Sequence, residues 1–447
     1  MKSYKSRLAT LAFCGGLLLL APGCDLDLPN PNNPTEAEVL TTRDGLLALS
    51  VGMRQFYANS ALEAVILTPG ATARELRGIS TFTNVLEVEA GGADLPNNNA
   101  NVTNLWSRLL RVAGMAEDLT ASAPTVLSAD PATRDAVLAH ANLFRAIALG
   151  TLSQYFEQAP LTTSRQGGPA ATFVPREQLL AEAIRLLDEA QQLIAATPPS
   201  ADFNAKVLGS TFDLANTIKA YQVRYTLQAG TYAATLAAAN SIDLTKRSVF
   251  QFNNQNPNPI YQSAVVARNF RPRELTGFGL PAALAYPNDA RVAFYIGQET
   301  INNAPQPVVT GFFATINTSI PAYLPDEIRL SRAEALVRSG GSLTAAVQDI
   351  NAVRTQAPGA DLYGVGANLP AYSGPVTADA LLLEIYRQRS AELYLTGLRL
   401  PDSRRFGRPA PPTTGTPPAS AERNRNFYPY PQQERLTNPN VPADPAI

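Results

Sequence analysis

Residues 322–356 read as a helical hairpin, and this segment limits the fold more than any other. Its length, about 34 residues, is that of a two-helix repeat unit. Ala333, Ala345 and Ala352 fall at offsets of 0, 12 and 19 along it. Those are spacings at which small residues let two repeat helices touch. Asp349 stands where an aromatic is expected between the last two. One such hairpin cannot bury its apolar faces alone, so it implies a right-handed stack of helix pairs. The pattern over 376–396 predicts a helix that closes the stack. A second hairpin is expected over 212–239, where Ala220, Val223, Leu227 and Ala229 lead to Gly230 and then Tyr232. Glycine supplies the tight turn, and the alanines beyond it allow close helix approach.

Upstream the pattern is helical again. Residues 35–58 put Leu46, Leu49, Met53 and Phe56 on one face. Residues 102–121 put Leu105, Leu109, Val112 and Met115 on a stripe. Trp106, the only tryptophan, lies beside that stripe and is expected to pack inside rather than to stack on a ligand. Pro131 and Pro175 open two further helices, over 131–156 and 175–196. Residues 60–101 are less periodic. Gly70, Gly78, Gly91, Gly92 and the run Asn97, Asn98, Asn99 predict a long loop there. Two segments stay outside the stack: 245–321, rich in Asn, Pro, Phe and Tyr, and the tail 408–447. The fold class is therefore mainly α, a tetratricopeptide-like helical-repeat scaffold with an irregular, loop-rich, ligand-facing region.

Composition narrows the function classes. The 447 residues suffice for a large core. A net charge of −1 and the lack of any basic run argue against a nucleic-acid partner. With one histidine, His140, and two cysteines, Cys14 and Cys24, Cys/His zinc motifs are excluded and His-based triads disfavoured. His140, inside a helix with no Ser/Asp arrangement around it, reads as a packed or surface residue. No motif calls for a cofactor. A calcium or magnesium site built from oxygen ligands stays open.

The first residues read as an export signal. Lys2, Lys5 and Arg7 precede an apolar run from Leu8 to Ala21 that is too short to span a membrane. Leu20-Ala21-Pro22-Gly23-Cys24 then resembles a bacterial lipobox, although Pro22 is atypical for one. Residues 1–23 are thus expected to be removed and Cys24 lipidated. The alternative is an ordinary signal peptide with an incidental cysteine. Residues 24–34, rich in Pro and Asn, read as a tether.

Near the other end, Ile385, Arg389, Glu392, Leu393, Gly397, Arg399, Asp402, Arg405 and Gly407 stand at fixed gaps. They read as a helix stopped by Gly397, followed by a loop with Arg399, Asp402 and Arg405. This order resembles the C-terminal signature of the SusD/RagB family of outer-membrane nutrient-uptake lipoproteins. Gln388, Thr396, Ser403 and Phe406 depart from it. The resemblance extends to Ala333, Glu334, Ala335, Ile350, Asn351, Val353 and Arg354 in the hairpin. It includes Arg145, Ala146, Leu149, Leu152, Tyr155, Phe156 and Pro160 upstream. In the tail it includes Tyr428, Pro429, Tyr430, Pro431, Glu434, Asn438, Pro439 and Asn440. The signature itself is expected to be an ion-paired lock on the fold rather than a catalytic site. Residues 35–447 are expected to form one SusD-like domain, with its irregular insert at about 245–321.

The resemblance implies a surface-exposed, lipid-anchored outer-membrane protein that binds an oligosaccharide or peptide. It would pass that nutrient to a SusC-like, TonB-dependent transporter. Sugars are held by aromatic faces and by amide or carboxylate side chains. The segment 80–101 offers Phe82, Asn84, Glu89, Asp94, Asn97, Asn98 and Asn99. The insert offers Tyr261, Phe270, Arg271, Arg273, Phe278 and Tyr286. One alternative is a helical-repeat lipoprotein that binds only protein, as an assembly scaffold. Another is a glycosidase using two carboxylates, but no motif selects a pair and the resemblance implies no enzyme.

Overall fold

A computed structural model describes residues 36–164, 168–415, 417–418 and 420–447. The expected signal, Cys24 and the tether lie outside the described residues. The architecture is mainly helical. Its strands are short and form two-stranded antiparallel pairs.

The helix Pro131–Tyr155 is the axis of the core. It is long and apolar enough to cross a membrane, yet it is enclosed by protein on nearly all sides. The helices Ala100–Val126 and Arg176–Ala196 flank it. Asp130 caps its start by accepting from the Thr133 amide, and Pro131 occupies the first turn. Gly150 lets the next layer approach: a Cβ there would lie 2.1 Å from Cζ of Tyr225. Tyr225 belongs to the helix Leu214–Gln228, which turns at Gly230 into Tyr232–Asn240. That second hairpin matches the expectation.

The repeat unit is present as Pro325–Arg338 and Leu343–Arg354, closed by Ala378–Glu392. Ala333 lies in the seam as expected. Its neighbours across the seam are Ala346, Ile350, Leu381 and Ile385. Ala345 and Ala352 are not in that seam, and Ala352 is exposed. The small-residue spacing is therefore displaced on the second helix. Asp349 explains part of this: it is held by Arg332 and cannot play the part of a seam aromatic.

Residues 60–101 are more regular than their sequence suggests. Leu62–Thr72 is a helix in which every residue but Glu63 is buried. A helix enclosed all round carries no amphipathic stripe, so periodicity does not reveal it. A second helix, Thr83–Ala90, follows the strand Leu76–Gly78 and ends at Gly91, with φ of +66°. The insert holds its own hairpin, Ile296–Ile301 with Ala304–Val309. Asn302 and Asn303 both take positive φ in its two-residue turn.

The signature region also differs in detail. The closing helix ends at Glu392, with Leu393 as its C-cap, before the expected Gly397 stop. Gly397 instead takes φ of +84° in the following turn, where Tyr155 Oη donates to its carbonyl at 2.7 Å. Arg399–Arg405 is a short helix, not a loop.

Candidate functional site

The strands Leu76–Gly78 and Phe270–Pro272 pair antiparallel, with Gly78 opposite Phe270 and Arg77 opposite Arg271. This pairing joins two segments nearly two hundred residues apart in sequence. A cleft of about 160 Å³ opens beside it, lined by Glu63, Phe82, Asn84, Asn101, Asn104, Arg108, Ser263 and Phe270 among others. Three of the expected ligand residues, Phe82, Asn84 and Phe270, therefore border one site, although Phe270 is 4% exposed and belongs to the core that backs the cleft.

Each wall is held in place. Phe82 precedes the helix Thr83–Ala90 in extended conformation and is 60% exposed. Asn84 Nδ2 donates to Asn101 Oδ1 at 3.2 Å, and Asn101 Nδ2 donates back to the Asn84 carbonyl at 3.0 Å. Asn99 is buried and caps Ala100–Val126 by accepting from the Asn101 and Val102 amides. Arg108 donates to Glu63 Oε2 at 2.9 Å and to the Ser60 carbonyl at 2.7 Å, while Ser263 donates to Glu63 Oε1. An exposed aromatic face next to fixed amides and one ion pair suits a neutral, hydroxyl-rich solute. The cleft is smaller than the ~300–1,000 Å³ of a drug-sized pocket. It has room for one ring of a longer chain. Asn101, Asn104, Arg108, Glu63 and Ser263 were not singled out from sequence. Four of them sit on buried-faced helices or in a polar background, where no local pattern marks them.

Other expected ligand residues lie elsewhere. Phe278 is buried against Tyr394, with ring centroids 5.3 Å apart, so its place is in the core. Arg271 is buried and paired with Glu299 at 2.8 Å. Arg273 and Glu89 are paired at 3.0 Å. Tyr286 lines a separate cleft of about 780 Å³. The Arg387 guanidinium stands 3.6 Å from its ring centre and its hydroxyl donates to Glu384, so that face is taken. Tyr261 is half-buried on the turn Tyr261–Val266. Asn97 and Asn98 lie on the approach to Ala100–Val126, with the Asn97 carbonyl accepting from the Gln432 amide. Trp106 is in the core as expected, stacked on Phe173, its Nε1 donating to Glu434 at 3.2 Å. His140 is fully buried beside Phe144, and burial, with a contribution from Arg54, holds its imidazole well below the usual pKa.

The signature residues form a buried ion-pair network, in keeping with a structural lock. Arg389 grips Asp402, and Arg405 bridges Glu334 and Asp402 at 2.8 Å each. Burial pushes the Asp402 carboxyl up, but Arg389 and Arg405 outweigh it and hold it below the usual range. Arg291 reaches Glu392 at 3.1 Å and Asp289 at 2.7 Å.

Comparisons with known proteins agree with this architecture. The SusD family model matches residues 327–444. A SusD superfamily protein from Bacteroides thetaiotaomicron superposes with a TM-score of 0.69 at 14% identity, covering 90% of this chain and 100% of that one. One from Bacteroides fragilis gives 0.68 at 14% identity, covering 90% and 99%. A SusD-like carbohydrate binding protein from Bacteroides fragilis gives 0.63 at 14% identity, covering 90% and 100%. No curated protein sequence matches the chain. The C-terminal signature lies inside the stretch 327–444 that the SusD family model matches, and over the rest of the chain the likeness to SusD superfamily structures is one of fold.

Proposed function

We propose that the protein binds a nutrient, an oligosaccharide or a peptide, with the Phe82 cleft as the point of capture. The observation that carries this reading is the pairing of Leu76–Gly78 with Phe270–Pro272, which brings Phe82, Asn84 and Phe270 to one cleft. A fold relative described as carbohydrate binding supports the oligosaccharide form. Binding, rather than turnover, is the activity. The lipid on Cys24 holds the protein at the outer-membrane surface, and the partner is a SusC-like, TonB-dependent barrel that receives the ligand.

The test is calorimetric titration of the mature protein with a panel of neutral oligosaccharides and peptides. A member of the panel binds, and Phe82→Ala weakens it about tenfold or more, as loss of one stacked aromatic requires. Unchanged affinity in Phe82→Ala removes the cleft from the reading. Purification from native outer membranes tests the partner. A stoichiometric TonB-dependent barrel supports delivery, whereas an assembly machine in its place favours a protein scaffold.

A further inference from the structure

Asp326, Asp361 and Glu392 each bring a carboxylate oxygen to within 4.8 Å of the other two. They come from three different parts of the repeat region. Asp326 opens the helix Pro325–Arg338, Glu392 ends Ala378–Glu392, and Asp361 sits in the loop beyond Leu343–Arg354. Much of their hydrogen-bonding capacity is used. Asp326 accepts from Arg329 and, at 3.1 Å, from Gln356. Asp361 Oδ1 accepts from the Tyr363 and Val365 amides at 2.9 and 2.8 Å. Glu392 Oε2 accepts from Arg291. Two oxygens are left over: Glu392 Oε1 and Asp361 Oδ2 are buried and receive no donor.

Charge does not balance here. With Asp289, four carboxylates face two guanidiniums, those of Arg291 and Arg329. Asp326, Asp289 and Glu392 are almost wholly buried, where uncompensated charge is poorly tolerated. Two protons would cancel the excess of two negative charges but would not tie all three clustered carboxylates through one centre. One divalent cation cancels the excess and takes an oxygen from each. All the donors are oxygens, which selects a hard cation. Three donors from separate segments, already tied to other groups, suit calcium's flexible coordination at about 2.3–2.6 Å better than the near-ideal octahedron of about 2.0–2.1 Å bonds that magnesium demands. Asp361 sits on a loop and is half-buried as a residue, with its free Oδ2 turned out of solvent.

We infer that Asp326, Asp361 and Glu392 form a binding site for one calcium ion, which ties the 357–366 loop to the repeat hairpin and the closing helix. The test uses the mature protein, dialysed against EDTA and then titrated with calcium or magnesium. Metal content is measured after desalting, and thermal unfolding is followed in parallel. The expected result is one calcium per chain and a Tm rise of about 3–5 °C at saturation, with magnesium weaker. Glu392→Gln removes the charge that Arg291 needs, so it can lose the fold. Asp361→Asn is the decisive variant, because its Oδ1 still serves the Tyr363 and Val365 amides. It is expected to keep the wild-type circular dichroism, bind calcium at least tenfold more weakly and lose the Tm rise. Absence of stoichiometric calcium in the wild type overturns the site, as does retention of calcium by Asp361→Asn. A Tm that ignores calcium and rises as pH falls assigns the cluster to shared protons and overturns it equally.

Discussion

Arg389 holds Asp402 through two hydrogen bonds, Nε to Oδ2 at 2.7 Å and Nη2 to Oδ1 at 3.3 Å, with both side chains buried. The pair joins the closing helix of the repeat stack to the short helix Arg399–Arg405. Arg389 also donates to Ser331 Oγ at 3.0 Å, so the first helix of the hairpin is tied into the same joint. Removing Arg389 leaves the buried Asp402 with Arg405 as the one remaining cation of its pair. Arg389→Met is expected to cost about 3–5 kcal/mol in chemical denaturation. The double variant Arg389→Met/Asp402→Leu is expected to recover part of that loss, because the under-compensated carboxylate is gone and Arg405 keeps Glu334. Equal losses in the single and double variants count against the lock.

Asp402 also gives a pH signature. Its carboxyl is held below its usual value in the folded state. The unfolded chain therefore binds the proton first as pH falls. The stabilisation is full above about pH 4 and is lost on further acidification. Asp402→Asn is expected to be less stable at neutral pH and to flatten the acid limb of the stability curve. An unchanged acid limb contradicts the assignment.

His140 acts over a higher window. Burial lowers its folded pKa, so protonation favours the unfolded chain. Its contribution is intact above about pH 6.5 and declines as pH drops below that value. His140→Phe, with the ring still packed on Phe144, is expected to remove the slope between about pH 6.5 and 5. Denaturant titrations at stepped pH read this directly.

Phe82 and Phe278 separate binding from stability. Phe82 is exposed at the cleft, so Phe82→Ala is expected to change stability by less than about 0.5 kcal/mol. Phe278 is core, and Phe278→Ala is expected to cost about 3–5 kcal/mol. If the two variants lose similar stability, Phe82 is not a free surface aromatic.

Gly150 tests the close approach of two layers. Alanine there would place its methyl inside the Tyr225 ring, so Gly150→Ala is expected to cost at least about 1–3 kcal/mol. Adding Tyr225→Leu should restore part of the loss by making room. No rescue would mean that the strain lies elsewhere.

Local patterns carried far because several elements obey local rules. Asp130 and Pro131 start a helix by capping chemistry, and Gly230 turns a hairpin because its φ is positive. The ordered spacing of Arg389, Glu392, Arg399, Asp402 and Arg405 carries a resemblance to SusD-like chains, and the family model matches the stretch that holds it. That spacing does not show that Arg399–Arg405 is helical or that Leu393 rather than Gly397 caps the helix before it. The exact end of a helix depends on which carbonyls find partners, and here those partners come from distant segments such as Tyr155.

The helical-repeat class, the SusD-like C-terminal pattern and the kinds of side chain available to a ligand are all legible in the amino-acid sequence. They are legible because periodicity, capping and motif order are short-range. Only the tertiary structure decided that Leu62–Thr72 is a helix, since a segment enclosed on every side has no stripe to read. Packing alone set Phe82 and Asn84 together at a cleft backed by the core residue Phe270, and placed Phe278 wholly in the core. The pairing of Gly78 with Phe270 is a long-range contact, and nothing in either strand names its partner.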